Sequence, residues 1–511
     1  MSRPLQVMKF GGTSLGSAER IRKAAEIVAA ATRDREIVVV VSAMAGVTNA
    51  LVDAAHRSAG GDKGAAEKLG HLLAAKHTET LAALVVDAAQ RNALQAQLDA
   101  IIEEGANRCR GVAWLRELTP RTLDSISGVG ERLSVRLMAA TLESLGVRSE
   151  AVEATDVIVT DDTHGGALPL ETETRGRAQS ALLPRLRAGL VPVVTGFIAA
   201  SKDGTPTTLG RGGSDLSATI LGAALDSADV IIWTDVDGVL TADPRLVPDA
   251  TLLLDISYNE AAELAFFGAK VLHPSTLHPV RRRGIPVWIR NSFSPETRGT
   301  MIGPDSHPTL EGVKAVTAIR DVTLLTVGGP GIIGVPEVAA WTFAATAEAR
   351  ARILLISQAS SQDDICFVVH SADSKRTVEA LRRTFLLGVR PIELDHIHVN
   401  DKVAIVAVVG DNMRGTTGVA GRVFGRLGRE SVNIIAIAQG SSENNISFLV
   451  DEHAVQRAVS CIHNEFHLEK GIRAGAPAPQ GVPVGAPVAT NAPAVPVVAA
   501  ERGASQREVK R

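Results

Sequence analysis

Aromatic residues are scarce in this chain of 511 residues, at 3% with a single tyrosine, Tyr258. So few aromatic side chains argue against the stacking platforms that bind single-stranded nucleic acid. The net charge of −3 also lacks the basic excess of nucleic-acid-binding proteins. The chain has no uninterrupted apolar run of about 18 residues and no charged-then-apolar signal pattern at its N-terminus. We therefore expect a cytoplasmic protein that binds neither nucleic acid nor a membrane.

Cysteine is also rare, and the three residues, Cys109, Cys366 and Cys461, lie far apart. An odd number of distant cysteines provides neither a disulfide framework nor the spacing of a metal site. The chain therefore fits a reducing compartment, with the cysteines as small core residues. The rest is ordinary globular material, with 45% hydrophobic and 21% charged residues.

The first 300 residues alternate short apolar runs with helical patterns. Strands are predicted at residues 5–10, 36–42, 149–152, 191–195, 230–234 and 285–289, and residues 48–117 are predicted to be helical. Helices of this length return the chain so that successive strands lie parallel. The pattern indicates one large α/β domain with a sheet between helix layers.

The second half contains an internal repeat, because residues 322–386 recur at 403–467 with a constant offset of 81. Each copy predicts a strand, a glycine turn, a helix, two strands joined by a short turn, and a helix. Such a repeat indicates a duplicated α+β module. The second copy lacks a final strand, so we predict that residues 313–319, which precede the first copy, supply it.

The first strand ends near Lys9 and runs directly into Gly11 and Gly12. Adjacent glycines let backbone N–H groups approach an anion, and the following helix start adds partial positive charge. Lys9 adds a compact cation at the same place. The stretch is not a P-loop, because Gly16 is followed by Ser17 rather than lysine. A buried strand with a tight turn remains the alternative for this stretch alone.

Two later loops also carry charged residues next to strands. Residues 207–215 are rich in glycine and contain Arg211, whose guanidinium suits a carboxylate or phosphate, and Asp215 at a helix start. Residues 232–245 follow an apolar strand, where ligands bind in parallel sheets. Asp215 is also a natural helix cap and Asp235 a natural turn former, so each taken alone has a structural alternative.

Together these stretches resemble the ordered motif series of aspartate kinases. The series is KFGGTS at 9–14, SAMAGVTN at 42–49, GERLS at 130–134, LGRGGSD at 209–215, TDVDG at 234–238 and GAKVLHP at 268–274. The resemblance covers about residues 5–470, and its repeated half is similar to paired ACT regulatory modules. It implies an amino-acid kinase fold, with a mostly parallel sheet between helix layers, followed by two α+β ACT-like modules.

The implied domains are a catalytic domain over 1–300, a linker with a shared strand over 301–320, ACT-like modules over 321–400 and 401–472, and a tail over 473–511. Prolines and glycines between Asn291 and Thr309 favour the linker. The tail is expected to be disordered, because Ala, Pro, Val and Gly dominate it without periodicity.

The implied reaction is ATP plus L-aspartate giving 4-phospho-L-aspartate and ADP, the first step of lysine, threonine and methionine biosynthesis. The implied catalytic residues are Lys9, which stabilises the transferring phosphoryl group, and Asp215, which organises the site beside it. Glu131 and Arg211 match contacts to the α-amino group and the α-carboxylate of the substrate, with Thr48 as a third contact. The implied ATP-binding residues are Lys9, Gly11, Gly12, Ser14, Thr234, Asp235, Arg245 and Lys270. Leu240 departs from the family, which commonly has tyrosine there, so a hydroxyl is lost on the nucleotide side.

The chemistry of the residues agrees with this reaction. A β-carboxylate, with an ordinary pKa of about 3.9, is ionised at neutral pH and needs no general base. The transfer needs cations and N–H donors around the phosphoryl group. We expect Mg²⁺ to accompany ATP, held mostly by nucleotide oxygens and water, and no metal site built by the protein.

Gln358 and Gln439 end matching strands of the two repeats. The stretch around Gln358 resembles that of threonine-sensitive aspartate kinases, in which matching glutamines contact threonine. We therefore predict feedback by an amino-acid effector, threonine first and lysine second, while capping of the strand end is the alternative. ACT-like modules also imply a homodimer or larger assembly.

Other functions stay open. A related kinase could act on another acid such as N-acetylglutamate, although Glu131 and the paired modules argue against it. A catalytically silent amino-acid-binding regulator is the third possibility, against which the intact Lys9, Arg211 and Asp215 speak. Residues 329–334 fit a GxGxxG motif, but the second repeat abandons it, so we expect no dinucleotide site.

Overall fold

The computed structural model describes residues 3–268, 272–307, 312–328, 336–358, 364–386, 396–413, 415–440 and 443–470. Four sequence predictions lie outside these residues: Lys270, the glycine motif at 329–334, the serines that follow Gln358 and Gln439, and the tail over 473–511. Among the described residues, none of the helices combines the length and hydropathy needed to cross a membrane.

The first part of the chain alternates strands with helices. Its strands are β1 (Leu5–Phe10), β2 (Glu36–Val41), β3 (Ser149–Val152), β4 (Val159–Thr160), β5 (Val191–Thr195), β6 (Ile198–Ser201), β7 (Pro206–Thr208), β8 (Asp229–Thr234), β9 (Asp255–Ser257), β10 (Val287–Asn291) and β11 (Thr300–Gly303). Its helices are α1 (Ala18–Ala31), α2 (Val47–Ala59), α3 (Ala65–Leu84), α4 (Ala88–Leu115), α5 (Pro120–Ser127), α6 (Val129–Ser144), α7 (Glu171–Arg187), α8 (Gly213–Ala224), α9 (Tyr258–Phe266) and α10 (His278–Arg281).

Eight of these strands form one sheet in the order β3-β5-β2-β1-β8-β10-β11-β9. Neighbouring strands are parallel except β10 and β11. Strands β4, β6 and β7 form a separate small sheet. Residues 301–303, the start of the predicted linker, belong to β11, which pairs with β10 and β9 in the large sheet.

Both faces of the large sheet are covered, which explains the continuous apolar run of β2. The side chains of β1 alternate between two cores: Met8 and Phe10 lie in the core on one face, and Val7 in the core on the other. Because side chains alternate along a strand, Lys9 points to the same face as Val7. Helix α8 covers that face and contacts β1.

The second part of the chain builds a six-stranded sheet. Its elements are β12 (Ala315–Gly328), α11 (Pro336–Glu348), β13 (Ile353–Gln358), β14 (Asp364–His370), α12 (Ser371–Leu386), β15 (His396–Val409), α13 (Val419–Arg429), β16 (Ala436–Ala438), β17 (Asn445–Asp451) and α14 (Val455–Glu465). The strands lie in the order β13-β14-β12-β15-β17-β16, all antiparallel.

The two repeats share their central strands. Residues 315–319 of β12 pair with 405–409 of β15, which pairs with β17 of the second repeat. Residues 322–328 of β12 pair with β14 of the first repeat and, through a register shift, with the start of β15. This is the pairing that the predicted strand exchange requires, while the module boundaries themselves stay a prediction.

A buried ion pair joins the two parts of the chain. Lys314, just before β12, is 1% exposed, and its Nζ lies 3.1 Å from Oε2 of Glu260 on α9. The same Nζ donates to the backbone oxygen of Asp255 at 3.3 Å. Oε1 of Glu260 accepts from the backbone N–H of Asp411 at 3.0 Å. The charges therefore hold β9, α9 and the second sheet together.

Replacing Lys314 with methionine is expected to lower the free energy of unfolding by about 3 kcal/mol, because Glu260 is left buried and unpaired. Urea unfolding measures the change. Lys23→Met is the matched control, because Lys23 pairs with Glu19 on the exposed surface of α1, where a pair contributes less than about 1 kcal/mol. Equal effects of the two substitutions would show that the buried pair does not stabilise the junction.

Candidate active site

An ion pair between Lys9 and Asp215 lies at the centre of the site. Lys9 is near the end of β1, and Asp215 lies in the first turn of α8, which covers the Lys9 face of the sheet. The Lys9 Nζ and the Asp215 Oδ1 are in direct contact, and their side chains are 10% and 16% exposed. A lysine held this way places its side-chain nitrogen at the wall of the cavity without filling it.

The pair opens into a cavity of about 340 Å³. Five predicted site residues line it, together with residues 42–46, Asn49, Phe197, Gly210 and 212–214: they are Lys9, Gly12, Thr48, Glu131 and Asp215. Four sequence stretches, at 9–12, 42–49, 131 and 210–215, thus meet in one place. A cavity of this size fits a small polar substrate rather than a whole nucleotide.

Among the described acids that line the cavity, Glu131 has the most strongly shifted pKa. It lies in the first turn of α6, and its Oε1 accepts from the backbone N–H of Ala43 at 3.1 Å. Among the described residues, Oε2 has no hydrogen-bond partner. Burial raises the pKa of the Glu131 carboxyl to about 7. A buried carboxyl with one free oxygen is suited to bind an ammonium group, whose charge would favour the ionised form.

The glycine turn after β1 brings one of its two glycines to the cavity. The N–H of Gly11 donates to the carbonyl of Trp233 at 3.2 Å, so only Gly12 of the pair lines the cavity. A Cβ on Gly12 would lie 2.9 Å from the carbonyl oxygen of Ala43, so the turn packs too closely for a side chain. Ser14 is buried, and its hydroxyl is 2.7 Å from that of Ser292. Gly11 and Ser14, predicted as ATP contacts, therefore have partners within the fold.

A second cavity, of about 850 Å³, adjoins the first and shares Gly212 and Asp215 with it. Its basic lining residues are Arg211, Arg245, Arg320, Arg352, His273 and His370. Arg245 is oriented by Asp243, with Nη2 to Oδ2 at 2.5 Å. Several guanidinium groups around one cavity suit a polyphosphate. Arg211, predicted to bind the substrate carboxylate, lines this second cavity and not the first.

Two further predicted nucleotide contacts, Thr234 and Asp235, do not line these cavities. Thr234 ends β8, and its carbonyl accepts from the backbone N–H of Ser292 at 2.9 Å. Asp235 is exposed and accepts from the Thr234 hydroxyl at 3.2 Å. Neither lines either cavity, and Lys270 lies outside the described residues.

Sequence reasoning missed Phe197 and Arg352. Phe197 has a positive φ of 66°, and its ring lies against the backbone of Gly213, where a Cβ would be 2.8 Å away. Arg352 precedes β13 in the second part of the chain and stacks on the ring of Phe266 at 4.8 Å. A lone phenylalanine and an arginine in another domain carry no local motif, so only the folded chain identifies them.

The predicted effector residues lie on strands that meet. Gln358 ends β13 and Gln439 follows β16, and both side chains are exposed. Although these are the outer strands of the six-stranded order, β13 and β16 contact each other. Gln358 and Gln439 therefore lie at the ends of neighbouring strands.

Comparisons with known proteins agree with this architecture. Residues 4–291 match the model of the amino acid kinase family, and residues 325–385 and 406–466 each match an ACT domain. The fold matches E. coli aspartokinase III in complex with aspartate and ADP (R-state), with a TM-score of 0.75 and 31% identity over 90% of this chain and 99% of that one. The chain belongs to the aspartokinase family. The predicted fold class and family are confirmed.

Two further comparisons show how much of other aspartokinase-related proteins this chain covers. E. coli aspartokinase III in complex with lysine and aspartate (T-state) matches with a TM-score of 0.76 and 30% identity, covering 90% of this chain and 99% of that one. The bifunctional aspartokinase/homoserine dehydrogenase 1 of Arabidopsis thaliana, a chloroplastic protein, is 36% identical over 91% of this chain and 51% of its own length. The chain spans about half the length of the curated bifunctional relatives of this kind.

Proposed function

We propose that this chain transfers the γ-phosphoryl group of ATP to the β-carboxylate of L-aspartate, giving 4-phospho-L-aspartate and ADP. The observation that supports this most strongly is the cavity that joins the Lys9–Asp215 pair to buried Glu131. A structure of the matching E. coli enzyme is described with aspartate and ADP. In this proposal the reaction begins the synthesis of lysine, threonine and methionine.

A carboxylate oxygen of aspartate attacks the γ-phosphorus, and the bond from that phosphorus to the β–γ bridging oxygen breaks. The electron pair leaves with ADP, and no proton needs to be removed because the nucleophile is already an anion. Lys9 neutralises the charge that spreads over the transferring oxygens. Glu131, in the first cavity, holds the α-amino group, and Arg211, which lines the adjoining cavity next to the shared Gly212, reaches the α-carboxylate from there.

Magnesium belongs to the proposal as a companion of ATP. In the described part of the chain, no three metal-ligating side chains converge into a site. Asp215 is the described acid that lines both cavities, so it is the side chain that would help to hold the ion beside the phosphates. When bound, the ion would neutralise phosphate charge, and the nucleotide would supply most of its ligands.

A hydroxamate assay with ATP and a panel of acids tests the substrate. We expect aspartate-dependent acyl phosphate and ADP in equal amounts, and none with N-acetylglutamate. Activity with N-acetylglutamate alone would favour the related kinase, and absence of turnover with every acid would favour a silent regulator.

We also propose feedback by an amino-acid effector at the ACT domains, threonine first and lysine second. The loop between β8 and β9, which carries Arg245, packs directly on the second sheet. The Thr241 hydroxyl lies 2.9 Å from Nε2 of His463, and the backbone N–H of Val316 donates to the Thr241 carbonyl at 2.8 Å. An effector that favours one arrangement of the second sheet would therefore act on the nucleotide side.

Gln439→Ala is expected to weaken inhibition by the effector about tenfold, the loss of one or two hydrogen bonds, with uninhibited kcat unchanged. Initial rates with threonine or lysine added separately measure this. Gln97→Ala is the matched control for the loss of a glutamine amide, because Gln97 is exposed on α4 and lines neither cavity. Indifference of the wild-type enzyme to both amino acids would remove the effector proposal.

The proposal extends to assembly and location. We propose a homodimer or larger assembly through the ACT domains, and a cytoplasmic enzyme. The cytoplasmic location is supported by cysteine usage, because Cys109, Cys366 and Cys461 are all free. Size-exclusion chromatography with light scattering tests the proposed assembly.

A further inference from the structure

Outside the catalytic cavity, a buried acid forms the centre of a polar cluster. Asp124, on α5, is 3% exposed. Its Oδ1 accepts from the Thr208 hydroxyl at 2.5 Å, and its Oδ2 lies 2.8 Å from Nδ1 of His164. The backbone N–H of Gly165 donates to both oxygens at 3.1 Å. One carboxylate therefore ties α5 to the end of β7 and to the loop at 161–166.

Both tied segments border the loop that carries Arg211. Thr208 is followed directly by residues 209–215, in which Gly210 and Asp215 line the catalytic cavity. On the other side, a Cβ on Gly210 would lie 3.1 Å from the carbonyl oxygen of Gly165, so the two loops are in close backbone contact. The N–H of Ala167 donates to the Thr208 carbonyl at 2.8 Å, which is a further contact between the same two segments.

The conformation of that loop depends on support from outside. Gly210 and Gly212 both have a φ of +72°, a region that glycine enters freely and that does not hold the backbone in place by itself. Loop residues that contact substrate need such external support to keep their geometry. Among the described side chains of the 161–166 loop and of β7, those of His164 and Thr208 hydrogen-bond to Asp124.

We propose that Asp124 is a positioning residue for aspartate binding, and that it acts through Thr208 and Gly165 to hold the Arg211 loop in its productive conformation. Asp124 itself touches no substrate. This inference rests on the proposed function, because it assigns the Arg211 loop to the substrate α-carboxylate.

Steady-state kinetics of Asp124→Asn test the inference. The asparagine keeps the size of the side chain but replaces one acceptor oxygen with a donor. We expect the KM for aspartate to rise about tenfold, the effect of one lost charged hydrogen bond, with the KM for ATP within about twofold of wild type. Asp161→Asn is the matched control, because the Asp161 carboxylate accepts hydrogen bonds from the nearby Thr163 and Leu168 and none from Thr208.

A second pair of variants keeps the test valid if Asp124→Asn does not fold. Thr208→Val removes the hydroxyl at constant shape and is expected to raise the KM for aspartate, while Thr208→Ser restores it. Parallel increases in both KM values, or a lower melting temperature with unchanged KM for aspartate, would overturn the inference and leave Asp124 a purely structural residue. Failure of the wild-type enzyme to use aspartate would instead contradict the proposed function.

Discussion

Replacing Lys9 with alanine is expected to lower kcat by a factor of about 10³ or more. The substitution removes the cation that faces the transferring phosphoryl group. It also leaves Asp215 without the partner that its Oδ1 contacts, so a free negative charge would face the phosphates of ATP. Both effects act on the transition state more than on binding, so kcat changes more than either KM. Coupled ADP release measures the rate.

Lys23→Ala is the control for this substitution, because Lys23 is an exposed lysine on α1, and we expect its kcat to equal that of wild type. Thermal unfolding of Lys9→Ala checks that the fold is intact. A folded Lys9→Ala enzyme with ordinary turnover would contradict the proposed role of the lysine.

Glu131→Gln is expected to raise the KM for aspartate about 100-fold at pH 8. Glutamine keeps the acceptor for the Ala43 N–H but cannot offer a negative charge to the ammonium group. The same change is expected to stabilise the free protein by about 3 kcal/mol at pH 8, because glutamine removes a buried carboxylate that is ionised at this pH. Loss of binding together with a gain in stability is the expected signature of a functional buried acid.

The pH dependence follows from the raised pKa of Glu131. The ordinary carboxyl pKa is 4.5, and in the folded protein it is about 7. Its contribution to stability is therefore fully present below 4.5 and is lost as the pH rises through about 7. Aspartate binding has the opposite pH dependence, because it needs the ionised Glu131 carboxylate. The KM for aspartate should therefore fall as the pH rises through 7.

Measuring stability and the KM for aspartate as a function of pH, in wild type and in Glu131→Gln, shows whether the Glu131 carboxyl causes the transition. The variant should lose the pH dependence of stability that belongs to residue 131, and its KM for aspartate should be flat across the same range. Identical profiles for the two proteins would assign the transition to another group.

Much of this protein follows from its sequence because the relevant signals are local. Strands β3 and β5 begin and end at the residues predicted for them, and α1 begins after Ser17, whose hydroxyl accepts from the N–H of Arg20. The constant offset of the repeats predicts two copies of one module. Lys9, Glu131 and Asp215 lie in short motifs, and alternation along β1 already places Lys9 on one face of the sheet.

What the sequence did not decide depends on contacts between distant segments. Gly11 and Ser14 lie in the same motif as Lys9, yet their hydrogen bonds go to Trp233 and Ser292. Arg211 and Arg352 meet at one cavity only because the second part of the chain packs beside the first. The burial that raises the pKa of Glu131, and the cluster around Asp124, likewise arise from packing. Local propensity and periodicity specify elements and motifs, whereas partners, burial and charge depend on which segments the tertiary fold brings together.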